Sequence, residues 1–130
     1  MKWYVLKELT RSDKNEIEAD IQVPSDSPWF DGHFPGRPIL PGVAQIGMVF
    51  DVIRKALNQD LKLSSVRRVR FKRIIRPDDQ LKIIAAPLKE EDGSYSFRIL
   101  IRNETVCSGV MSVENKNELR TNMPEKEEKN

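Results

Sequence analysis

Trp29-Phe30-Asp31-Gly32-His33-Phe34-Pro35-Gly36-Arg37-Pro38-Ile39-Leu40-Pro41-Gly42-Val43-Ala44-Gln45-Ile46-Gly47-Met48-Val49-Phe50-Asp51-Val52-Ile53-Arg54-Lys55-Ala56-Leu57 joins a stiff loop to a long apolar run. Pro35, Pro38 and Pro41 fix their own φ and push the preceding residues toward extended backbone, while Gly32, Gly36 and Gly42 permit turns that other residues resist. The loop holds the chain's single histidine, His33. Beyond Gly42 the apolar residues Val43, Ala44, Ile46, Met48, Val49, Phe50, Val52, Ile53, Ala56 and Leu57 are interrupted mainly by Gln45, Gly47 and Asp51. That spread around nearly the whole circumference predicts a helix enclosed by other structure, too short and too interrupted to span a membrane. Its N-terminus, near Gly42 and Val43, points unpaired N–H groups back toward the histidine loop.

Strand signals flank the helix on both sides. Residues 3–9 suggest a first strand, and Ser12-Asp13-Lys14-Asn15 a turn. Ile17, Ala19, Ile21 and Val23 alternate with Glu16, Glu18, Asp20 and Gln22, the period of a half-buried strand. Asn58-Gln59-Asp60 marks the helix exit, and strands are expected over 63–71, 81–88, 95–102 and 105–113. Asp92-Gly93 is a hairpin signal, and Asn103-Glu104 gives a last short turn. Strands grouped in this order exclude a βαβ repeat. The expected fold is α+β: an antiparallel sheet of about six strands wrapped around one long buried helix. Residues 1–113 form one domain on this reading, and 114–130, charged and poor in apolar residues, form a disordered tail.

Composition narrows the classes. With 130 residues, 38% of them hydrophobic, the chain has material for a real core. A net charge of +2 is too small to argue for nucleic acid. Phe71 is the one aromatic residue within the basic cluster at 67–76, short of the interleaving that a stacking platform requires. The single cysteine, Cys107, rules out an internal disulfide and a cysteine-based zinc site. The N-terminus lacks an apolar signal segment, so a cytoplasmic protein is expected.

The run Gly32-His33-Phe34-Pro35-Gly36-Arg37-Pro38-Ile39-Leu40-Pro41-Gly42-Val43 resembles the signature of the hotdog-fold (3R)-hydroxyacyl-[acyl-carrier-protein] dehydratases of the FabZ and FabA type. The segment 71–81, Phe-Lys-Arg-Ile-Ile-Arg-Pro-Asp-Asp-Gln-Leu, is similar to that family's second motif, a strand ending in a Pro-Gly-Asp-like turn. The resemblance covers roughly residues 16 to 113. Pro-Gly-Val-Ala-Gln also resembles the dehydratase-like branch associated with aryl-polyene synthesis.

The resemblance implies a reaction and a site. His33 becomes the general acid/base that removes water from a β-hydroxyacyl thioester. Gly42 and Val43 supply helix N-terminal donors to the thioester carbonyl, which makes the α-proton removable by stabilising the developing enolate. The acyl chain lies in an apolar tunnel beside the helix, with Phe30, Phe34, Ile39 and Phe50 as candidate walls. It is carried by the phosphopantetheine arm of an acyl carrier protein, no metal or organic cofactor is implied, and a homodimer is expected because a lone sheet leaves edges open.

One position departs from the family pattern. The family places a Glu or Asp on the helix four residues after the Val of Pro-Gly-Val, contributed by the partner subunit, and here that residue is Gly47. Asp51 follows one turn later on the same face and is the candidate replacement, acting through the space Gly47 leaves. A structural alternative stands beside each assignment. Asp51 could cap a buried hydrogen-bond network, and Gly47 could allow close helix packing. Arg68, Arg70, Lys72 and Arg73 are candidates for docking an acidic carrier protein, or form a solvated strand face. Two further functions stay open: thioester hydrolysis, which hotdog scaffolds also host, and a non-catalytic carrier-binding or partner subunit.

Overall fold

The computed structural model describes residues 3–31 and 36–116. His33, Phe34 and most of the expected tail lie outside the described residues. The elements run β1 (Val5–Arg11), β2 (Ile17–Gln22), a 3-10 turn (Pro28–Phe30), α1 (Gly42–Leu57), β3 (Leu61–Phe71), β4 (Gln80–Pro87), β5 (Ser94–Ile101) and β6 (Glu104–Asn115).

The strands form a single six-stranded sheet in the order β1-β2-β4-β5-β6-β3, every neighbouring pair antiparallel. Alternation explains which face turns inward. Ile17, Ala19 and Ile21 of β2, Ile83 and Ala85 of β4, and Phe97 and Ile99 of β5 are all buried, while residues between them reach solvent. They join one core cluster with Ala44, Met48, Val49, Val52 and Ile53 of α1. Each fully buried aliphatic side chain is worth about 2 kcal/mol of transfer free energy, so the helix is held by its packed face rather than by propensity. Among the described residues no helix is long and apolar enough to cross a membrane.

Boundaries differ from the sequence expectation where local chemistry intervenes. β1 begins at Val5, leaving Trp3 and Tyr4 ahead of it, and β6 runs on to Asn115, paired with Leu61. The last hairpin turns at Arg102-Asn103, one residue early, since these two adopt positive φ (51° and 66°) as a two-residue primed turn requires. Asn58 ends α1 in the left-handed conformation, and its N–H bonds the Lys55 carbonyl. β3 carries an irregularity between Arg67 and Arg70, where Arg68 has φ 57°.

One expectation is corrected. The helix is not enclosed all round: Val43 is 70% exposed, and a Cβ built at Gly47 meets nothing within 4 Å. Among the described residues Gly47 therefore serves no close packing, and one side of α1 is left open.

Candidate active site

The loop ahead of α1 is tied down from both sides. Leu40 N–H donates to the Ile75 carbonyl at 2.8 Å, and the Gln45 side-chain amide donates to the Leu40 carbonyl at 3.1 Å. Pro41 is the N-cap in extended conformation, has no side-chain cap, and its carbonyl accepts from Ala44 and Gln45 at 3.1 Å. The amides of Gly42 and Val43 precede the first intrahelical donor, and among the described residues they donate to no backbone carbonyl. Two aligned donors at a helix N-terminus form a preorganised seat for a carbonyl oxygen acquiring negative charge. The Phe71 ring, at the end of edge strand β3, lies over Gly42 so closely that a Cβ there would sit 2.7 Å from its Cζ.

From this terminus a groove of about 580 Å³ runs along the open side of α1, past Val43, Gly47, Phe50 and Asp51 to Arg54. Its far wall comes from outside the helix. Trp3 meets Tyr4 edge-on at 4.9 Å between ring centroids and Trp29 at 5.8 Å. The walls are aromatic, and polar side chains gather at the Asp51 end.

Asp51 is 8% exposed and lies at the centre of a compact cluster. Tyr4 donates its hydroxyl to Asp51 Oδ2, Arg54 donates to Oδ1, and Lys55 Nζ lies 3.7 Å from Oδ2. Both cations also stand over rings, Arg54 at 5.7 Å from the Phe50 centroid and Lys55 at 5.6 Å from that of Tyr4. A carboxylate surrounded by donors acts as an acceptor and electrostatic anchor.

The other assigned residues are distributed as follows. Val43, Gly47, Phe50 and Asp51 are brought together along one side of the helix, whereas Gly42 faces the Phe71 ring. Phe30 is buried in the core and does not line the groove, and Ile39 is half-buried on the loop. His33 and Phe34 fall outside the described residues. Arg68, Arg70 and Lys72 are exposed on the edge strand and just past it, whereas Arg73 pairs with Glu104 at 3.0 Å. A larger hollow of about 1340 Å³ elsewhere has the pairs Lys82–Asp20 (3.2 Å) and Arg73–Glu104 (3.0 Å) in its lining and includes no residue of α1. Cys107 is fully buried, and burial pushes its thiol up to about 11, which keeps it unreactive.

Sequence reasoning missed Trp3, Tyr4 and Trp29. They come from irregular segments where neither the strand nor the helix period applies, and the Tyr4–Asp51 contact joins residues 47 apart. The remaining signal was the aromatic pair Trp3-Tyr4 itself, which the strand reading absorbed.

Comparisons with known proteins bear on this geometry. The family model for ApeI-like proteins, described as ApeI dehydratase, matches residues 9–110. The chain is 38% identical over 93 residues to 3-hydroxyacyl-[acyl-carrier-protein] dehydratase FabZ of Syntrophomonas wolfei, a match covering 65% of each protein. It therefore spans just under two thirds of that relative's length. Among solved structures it is similar to the dehydratase heterocomplex ApeI:P from Xenorhabdus doucetiae, with TM-score 0.76 and 26% identity, covering 87% of this chain and 98% of that one. An uncharacterised protein from Erwinia carotovora is 29% identical with TM-score 0.68, covering 87% and 94%.

Proposed function

Because the chain belongs to the ApeI-like dehydratase family, we propose that it removes water from (3R)-hydroxyacyl thioesters carried on the phosphopantetheine arm of an acyl carrier protein. The observation that carries this reading is the first turn of α1, which has no side-chain cap and whose Val43 lines one end of an acyl-sized groove. In the proposed reaction His33 takes the α-proton, and the electron pair moves onto the thioester oxygen held by the two amides. The imidazolium then returns that proton to the β-hydroxyl, the C–O bond breaks, and water leaves as the double bond forms. Proton and electrons balance without a second acid. Asp51, in the groove beside the slot at Gly47, orients the departing hydroxyl as an acceptor.

The carrier protein approaches along Arg68, Arg70, Lys72 and Arg73, whose positive charge suits an acidic partner. A homodimer forms through an open sheet edge. β3 is the edge that adjoins the helix N-terminus through Phe71, so pairing there brings a second chain to the site.

A second reading is favoured by the vacancy at Gly47 and by the heterocomplex formed by the Xenorhabdus protein. In it, a different hotdog chain inserts an acidic side chain beside Gly47, and this chain supplies the histidine half of a mixed site. Mass spectrometry of a (3R)-hydroxyacyl carrier protein incubated with the purified chain tests the first reading: loss of water from the acyl group supports it. Release of free thiol instead indicates hydrolysis, and turnover only after adding a second hotdog subunit selects the mixed site.

A further inference from the structure

We propose that Tyr4 is a positioning residue for this site, holding the Asp51 carboxylate in the orientation that dehydration uses. The inference rests on the reading of Asp51 given above. On the helix alone, Asp51 is flanked by Arg54 and Lys55, one turn toward the C-terminus, and both draw its carboxylate away from Gly47. Tyr4 reaches Asp51 from outside α1. Its hydroxyl bonds Oδ2 while Arg54 holds Oδ1, so the two donors together fix the carboxylate plane.

Tyr4 is itself held. The residue is 5% exposed, its ring carries Lys55 on one face, and Trp3 meets it edge-on. A hydrogen bond to a charged group in such a sheltered place is stronger and more directional than one in water. Tyr4 and Asp51 both line the groove, so the bond lies where the acyl group would sit rather than behind it.

Tyr4→Phe keeps the ring, the cation above it and the edge contact with Trp3, and removes only the hydroxyl. Steady-state kinetics on a hydroxyacyl carrier protein should show kcat reduced about tenfold with KM within about twofold, the size expected for losing a hydrogen bond to a charged group. Asp51→Asn should be at least as impaired, and the double variant no worse than Asp51→Asn alone, because Tyr4 acts through Asp51. Thermal unfolding of the same proteins separates this from a purely structural role. A lower Tm for Tyr4→Phe with native kcat overturns the inference, as do effects that multiply in the double variant. An unimpaired Asp51→Asn enzyme overturns the reading of Asp51 beneath it, and the inference falls with it. Impaired Asp51→Asn beside a fully active Tyr4→Phe overturns the inference alone.

Discussion

At Gly42 the room for a side chain is already occupied by Phe71, whose ring atoms lie 2.7 to 3.1 Å from where a Cβ would be. Gly42→Ala must therefore push the ring or the first helical turn aside. The turn carries the proposed carbonyl donors, and losing such a donor typically costs about a hundredfold in rate. Gly42→Ala should lower turnover by roughly that factor, and Phe71→Ala in the same chain should restore part of it; no recovery would mean that the ring is not the obstacle. Cys107 gives a simpler check at this scale. Its buried thiol, raised to about 11, should resist alkylation at mildly basic pH until the protein unfolds, which mass spectrometry after iodoacetamide treatment reads directly. Individual positions were legible where the chemistry is local: the start of α1 at Gly42 follows from the proline-glycine loop and the apolar run after it. Tyr4 was not, because its role depends on a partner 47 residues away.

Elements were more legible than their ends. Alternation located β2 and β5, and the apolar run located α1, since the period of side-chain direction is a property of the backbone itself. The irregularity in β3 escaped, and the last turn was placed one residue late, because Arg68 and Arg102 adopt a positive φ for which a charged residue gives no strong sequence signal. The open side of α1 also escaped, because an apolar circumference does not reveal which side the sheet leaves uncovered. That side yields a prediction for the helix. With nothing within 4 Å of its Cβ position, Gly47→Ala should stabilise the protein by about 0.5–1 kcal/mol through helix propensity, seen as a raised Tm; a lowered Tm would show that the slot is filled in the assembled protein. The β4–β5 connection yields another. Ser94 and Arg67 bond Glu91 and hold its carboxyl below the usual range. A depressed carboxyl pKa contributes stability above the unfolded-state value and loses it as pH falls through the folded-state value. Glu91→Gln should therefore melt below the native protein at neutral pH, with the gap closing on acidification; a gap constant with pH would contradict the ion pair.

For the whole molecule, the fold class was legible because one helix among grouped strands leaves few ways to bury both, whereas the site was only half legible. One part of it is local to the loop and helix, and the other is assembled by topology from the chain's first described residues and the turn at Trp29. The sheet ends in two strands, β1 and β3, each with one edge that pairs with no other strand among the described residues. Exposed edges invite pairing, so sedimentation at micromolar concentration should find two copies together, and a monomer would remove the proposed route by which a second chain reaches the site. The central claim remains dehydration by His33 at the helix N-terminus. Its most direct test is equilibration of a short (3R)-hydroxyacyl carrier protein with its enoyl form, followed by mass spectrometry for the native chain and His33→Ala. Expected is interconversion by the native protein that falls by about a hundredfold or more in His33→Ala, the usual scale of a general acid/base. Equal interconversion by both proteins, or none by the native chain alone or with a second hotdog subunit, would contradict it.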